Sequence, residues 1–220
     1  MPRVLSVILA VVLAAAAPAT GAALTAREVL QKAQAAYQGV RDYTARVRLT
    51  TDIPGLELPV RNFTVYVKRP DLVKVESDHL VVVPKDVLLF GNLEGELARS
   101  GRVSLAGVGR EGSQRIYCLK IRPEQAAQQE RVLLWVEGEH WTLVRSEVWS
   151  GGNRLLTVYW KHLKVNGKFW LPGEVRCDVS GGALGGSKPG HLTVTFSDYR
   201  VNSGLSDDLF RANGGASSPR

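Results

Sequence analysis

From Asp42 onward the chain alternates apolar and polar residues. Tyr43, Ala45, Val47 and Leu49 interleave with Thr44, Arg46, Arg48 and Thr50. A period of two sends successive side chains to opposite faces of a sheet. The pattern returns in Asn62–Ser77, which reads as two strands broken at Lys68-Arg69-Pro70-Asp71. Phe63, Val65 and Val67 share one face, and Arg69 continues their phase, so this apolar face ends in a guanidinium. A cation at the rim of an apolar surface must reach water or hold a polar group there. Pro70 has no N–H to give a ladder and ends the strand. Further strands are expected at Leu80–Val83, Val87–Phe90, Arg115–Arg122, Arg131–Glu137, Trp141–Trp149, Leu155–Val165, Lys168–Val179 and Leu192–Val201. Gly91-Asn92, Gly151-Gly152-Asn153 and Asn166-Gly167 mark turns.

Ahead of the strands the period changes to that of a helix. Val29, Leu30, Ala33, Ala36, Tyr37 and Val40 form one stripe, predicting a helix over Thr25–Gln38. Thr25 and Glu28 stand at capping-box spacing, and Gly39 suits the C-terminal cap. Glu124–Gln129 is expected as a short helix, with Gly101–Gly112 and Ser180–Gly190 as glycine-rich loops. The fold class is therefore mainly β with helices. One N-terminal helix precedes about ten mostly antiparallel strands, with no βαβ alternation, in a single curved sheet or open barrel.

The N-terminus reads as an export signal. Arg3 supplies the positive start, Val4–Ala17 is apolar, and small residues lead to a cleavage site near Ala23. The apolar run is shorter than the ~20 residues that span a bilayer. The expected divisions are 1–23 signal peptide, 24–212 a single domain and 213–220 a disordered tail. Export implies the periplasm or the exterior, if the source is a bacterium, and the periplasm is the expected compartment. Cleavage removes Arg3 and takes the formal charge from +7 to +6. That excess suits anionic membrane surfaces or acidic partners. Nucleic acid is not expected, because the chain is exported and carries no aromatic-and-basic motif.

Candidate chemistry is sparse. The two cysteines, Cys118 and Cys177, could form a disulfide in an oxidising compartment or stay as buried thiols. The four histidines, His79, His140, His162 and His191, show no metal-ligand spacing, so no metal and no cofactor are expected. Gly107–Gly112 fits GxGxxG in letters, but no strand precedes it and no helix follows it. No nucleophile elbow or catalytic constellation stands out, and an enzyme is not expected. All five tryptophans fall between Trp135 and Trp170. In Leu155–Val165, the residues Leu156, Val158 and Trp160 share a face. Such residues usually fill a barrel core. They could also line a cavity for an apolar ligand.

Val67-Lys68-Arg69-Pro70-Asp71-Leu72, the export signal and the first helix leading into Tyr43-Thr44-Ala45-Arg46-Val47 together resemble the LolA family of periplasmic lipoprotein carriers. Val165-Asn166-Gly167-Lys168-Phe169-Trp170-Leu171-Pro172 is similar to a strand start in lipoprotein-sorting relatives. The resemblance implies an unclosed, strongly curved antiparallel barrel covered by the N-terminal helix and short lid helices. Its hydrophobic cavity would take lipoprotein acyl chains or a related lipid for transfer toward the outer membrane. Arg69 falls on the family's lid-gating arginine. Phe63, Val65, Val67, Trp135, Val158, Trp160 and Trp170 are the cavity-lining candidates. The implied protein is a monomeric transport chaperone, served by inner-membrane donor and outer-membrane acceptor proteins. The alternative is a periplasmic sensor or regulator that uses the same fold to bind a lipoprotein or membrane-protein partner.

Overall fold

The computed structural model describes residues 23–53, 59–78, 88, 101–123, 130–184 and 188–211. The expected signal sequence, the tail, the Glu124–Gln129 helix and the Leu80–Val83 strand lie outside them. Of Val87–Phe90 only Leu88 is described, and it is helical rather than extended.

A helix, α1 (Ala26–Ala35), precedes ten strands. These are β1 (Asp42–Asp52), β2 (Arg61–Lys68), β3 (Leu72–Glu76), β4 (Gly101–Glu111), β5 (Gln114–Pro123), β6 (Arg131–Glu137), β7 (Leu143–Ser150), β8 (Asn153–Val165), β9 (Phe169–Val179) and β10 (Gly190–Val201). A 3₁₀ turn (Gly181–Leu184) joins β9 to β10, and a four-residue helix, α2 (Asp208–Arg211), follows. The strands form one antiparallel sheet in the order β3-β2-β1-β10-β9-β8-β7-β6-β5-β4. Its edges, β3 and β4, do not pair, so the sheet is not closed into a barrel. No described helix is long and apolar enough to cross a membrane.

Alternation builds the inner face. Tyr43, Ala45 and Val47 of β1 and Phe63, Val65 and Val67 of β2 are each at most 5% exposed. Val47 stands between Phe63 and Phe196 on the flanking strands. Each buried Val or Phe side chain among them contributes about 1.5–3 kcal/mol. The Asn166-Gly167 turn is tight, with both residues at positive φ (51° and 66°), the conformation that suits a two-residue hairpin between twisted strands.

α1 lies against the far half of the same face. Val29, Leu30 and Ala33 pack on Tyr117, Leu119, Ile121, Leu134 and Val136. The capping box is present, with Thr25 Oγ1 accepting from Glu28 N and Glu28 Oε2 accepting from Thr25 N. The helix stops earlier than its apolar stripe. Tyr37 N and Gln38 N bond to Gln34 O and Ala35 O in a tighter turn, which swings Tyr37 and Val40 into the core of β1, β2 and β8–β10. Gly39 is thus not the cap. It passes beneath Phe169, where a Cβ would lie 3.1 Å from Cε1.

One further expectation is corrected, and one open alternative is decided. Gly101–Gly112 is not a loop: residues 101–111 are β4, paired along its length with β5. Cys118 and Cys177 are free thiols. They sit on β5 and β9, four strand spacings apart, roughly 19 Å along the sheet. Cys177 is packed in the inner core, whereas Cys118 shares the outer face with its cross-strand partner Trp135. Burial pushes both thiols up, Cys177 to about 11. A thiol-reactive dye should therefore find two free thiols in denaturant and label neither quickly in the native protein. Fewer than two thiols in the unfolded chain would mean that the pair is bonded after all.

Candidate functional site

The inner face ends where β2 stops and β1 begins, and polar groups gather there. Arg69 N donates to Arg41 O at 2.9 Å, which extends the β1–β2 ladder by one bond and fixes the Arg69 backbone at the rim. Its guanidinium is half-buried. Burial lowers its affinity for the proton, while the nearby phenols of Tyr43 and Tyr37 act the other way. The side chain thus stands between the apolar face and a group of buried tyrosines.

Each tyrosine of that group ties down a different segment. Tyr43 Oη donates to the carbonyl of Leu88 at 2.5 Å. Tyr199 Oη donates to the Pro172 carbonyl at 2.8 Å. Tyr37 Oη lies 2.9 Å from His162 Nε2. The Tyr43 and Tyr199 rings are 5.6 Å apart, within aromatic packing range. Burial pushes all three phenols well up. His162 is pushed down to about 4, because its partly apolar surroundings disfavour the imidazolium more than nearby Glu137 favours it.

Glu137 is itself 3% exposed. Its carboxylate accepts from the N–H groups of Glu139, His140 and Thr142 and from the Thr142 hydroxyl, at 2.8–3.1 Å. Burial would raise this carboxyl, but those donors outweigh it and hold it below the ordinary carboxylate range. They close the β6–β7 turn, in which Trp141 has φ 63° and stacks on Tyr117.

The cavity-lining candidates divide. Phe63, Val65, Val67 and Val158 are buried in the inner core, with Trp160 packed against it. Among the described residues this face is covered: Leu88, 1% exposed, belongs to the same cluster. Trp135 does not line the face. Leu134 and Val136 take the inward positions, so Trp135 points outward under the Arg145 guanidinium, 4.4 Å from its ring. Trp170 does not join that cluster either. It pairs with Lys164 near the hairpin tip, its ring 4.2 Å from that of His140.

Tyr37, Tyr43, Tyr199 and His162 are the residues that the sequence reading passed over. Tyr43 had a visible signal, since it shares the phase of Ala45 and Val47. Tyr199 had none, because the β1–β10 pairing slips between Thr44 and Arg46 and shifts the phase of β10.

No protein-family model and no curated protein matches the sequence. Solved structures match the fold. A putative outer membrane lipoprotein-sorting protein domain from Vibrio parahaemolyticus has TM-score 0.63 at 13% identity, covering 84% of this chain and 96% of that one. A DUF1329 family protein from Desulfovibrio piger has TM-score 0.60 at 15% identity, covering 84% and 96%. A LolA superfamily protein from Nitrosomonas europaea has TM-score 0.58 at 15% identity, covering 86% and 98%. The chain thus has the fold of LolA superfamily and lipoprotein-sorting proteins, as the Val67–Leu72 resemblance implied.

Proposed function

We propose that the protein is an exported carrier that works in the periplasm and takes acyl chains of a lipoprotein, or of a related lipid, against its inner apolar face. Its role is binding and transfer toward the outer membrane, not catalysis. The observation that carries this reading is the bond from Tyr43 Oη to the Leu88 carbonyl at the rim held by Arg69. Leu88 fills the face, and its main chain is held by a side chain of that face. An acyl chain that enters must displace Leu88, and the Tyr43 bond must break. Arg69 and Tyr43 would then gate a site that stands covered in the free protein. The LolA-type fold supports the same reading.

A fluorescent fatty-acyl probe is expected to bind at micromolar concentration. Removing the guanidinium with Arg69→Leu should weaken the covered state, because the half-buried cation no longer stands beside the Tyr43 and Tyr37 phenols. Probe retention then lengthens roughly tenfold or more, while the unfolding midpoint moves little. Tyr43→Phe should act in the same direction with a smaller effect. Absence of probe binding at micromolar concentration would end the carrier reading. Capture of an inner-membrane protein in place of lipid would support the regulator alternative.

A further inference from the structure

The outer face of β4–β8 carries a row of arginines that sequence distance conceals. Arg102 stands directly opposite Arg122. Arg122 and Arg131 flank the Ile121–Val132 pair on neighbouring strands. Arg131 is opposite Trp149, and Trp149 is opposite Arg154. The row crosses four strand spacings, about 19 Å. Like charges directly opposed across a ladder destabilise it, so the fold itself gains nothing from this arrangement. Arg102, Arg122 and Arg154 are exposed, and the Arg131 guanidinium lies 4.4 Å above the Trp149 ring. Among the described residues no carboxylate pairs with Arg102, Arg122 or Arg131. Glu130 is exposed beside the row. Glu147 stands in the next row of the same face, opposite Leu133, is 3% exposed, and is occupied by Arg145, Arg154 at 3.3 Å and Trp149 Nε1 at 2.9 Å. Lys120 adds a positive charge in the next row beside half-buried Leu133, and in the row after it Arg145, ion-paired with Glu147, stands over half-buried Trp135.

We propose that this row is a docking surface for an anionic phospholipid bilayer. Arginine binds phosphate through paired N–H groups. Tryptophan favours the headgroup level, where its ring is apolar and its N–H polar. A nucleic acid duplex would find the same charge but keeps its bases stacked inside, out of reach of the half-exposed tryptophans. The surface lies at the opposite end of the sheet from Arg69, since the Gly151-Gly152 turn beside it and the Asn166-Gly167 turn near His162 close opposite ends of β8. Docking there would leave the gated rim free, and it stands independently of the carrier reading.

The test uses the chain from Leu24 onward, which holds every described element, and co-sedimentation with vesicles. Vesicles of equal parts phosphatidylglycerol and phosphatidylcholine should pellet the protein, and pure phosphatidylcholine should not. Arg102→Gln with Arg122→Gln should weaken binding roughly thirtyfold, at the usual contribution of a basic side chain near an anionic surface. Lys161→Gln with Lys164→Gln removes equal charge at the other end of the sheet and should change it less than about threefold. High salt should abolish binding, because exposed charges are screened. Equal losses in the two double variants, or equal pelleting by neutral vesicles, would overturn the proposal. So would duplex DNA bound as tightly as the anionic vesicles. Both pairs are surface changes, and the first relieves repulsion, so retained thermal stability separates lost docking from lost fold.

Discussion

Glu137→Ala is expected to cost about 3 kcal/mol and to lower the unfolding midpoint by roughly 10 °C. The carboxylate accepts from three main-chain N–H groups and one hydroxyl while 3% exposed. Alanine would leave those donors without a partner, and a buried donor left unmade costs more than the bond it replaces contributes. Water can reach the Glu139 N–H, so the four losses do not simply add. The effect should spread beyond the turn. Leu143 follows it directly, and the main chain of Leu143 faces the Tyr37 oxygen. Glu137→Gln keeps the volume but turns one acceptor into a donor, so it should recover only part of the loss. Thermal denaturation at neutral pH checks both. A midpoint within a degree of the parent for Glu137→Ala would show that the turn holds itself.

Much of the architecture was legible in the alternation. The phases of β1 and β2 gave the inner face correctly, because their polar and apolar residues take turns, whereas β8 carries apolar residues on both faces and only its grouping of Leu156, Val158 and Trp160 was legible. β6 was harder. Val132-Leu133-Leu134-Trp135-Val136 is apolar throughout, so period two assigns no face, and Trp135 could be placed only once Leu134 was seen to be buried. β4 was missed for a related reason. Its outer half is glycine and small or charged residues, and extended structure there is imposed by pairing with β5 rather than by its own side chains. Arg69 was legible as the end of an apolar phase. Its neighbours were not, because Tyr37 reaches the rim only after α1 stops early, and His162 follows a slip in the β8–β9 register. The basic row was wholly hidden. Arg102, Arg122, Arg131 and Arg154 become neighbours only through register.

The protein should lose stability as the pH falls from about 6.5 to about 4, a loss that begins well above the carboxylate range. His162 drives this loss. Its ordinary value is 6.5, and in the folded protein it is pushed down to about 4 by burial. Between those values the unfolded chain binds the proton and the native chain does not, so stability rises with pH across the window. Its contribution is fully present above about 6.5 and is lost progressively down to about 4. The loss amounts to about 2–3 kcal/mol, since part of the ring reaches solvent. The local geometry gives the reason. The His162 ring is largely buried beside Tyr37, whose Oη lies 2.9 Å from Nε2, and that burial disfavours the charged imidazolium more than Glu137 favours it. Glu137 adds a separate acid-labile contribution, lost only as the pH falls below its ordinary 4.5 toward its lowered folded value. The two windows barely overlap, which allows the groups to be told apart. His162→Gln keeps an acceptor for Tyr37 and cannot titrate, so its stability should stay flat from pH 6.5 to 5 and fall only in the Glu137 window. Urea denaturation across that range measures the slope. An unchanged slope in His162→Gln would mean that another group carries the proton.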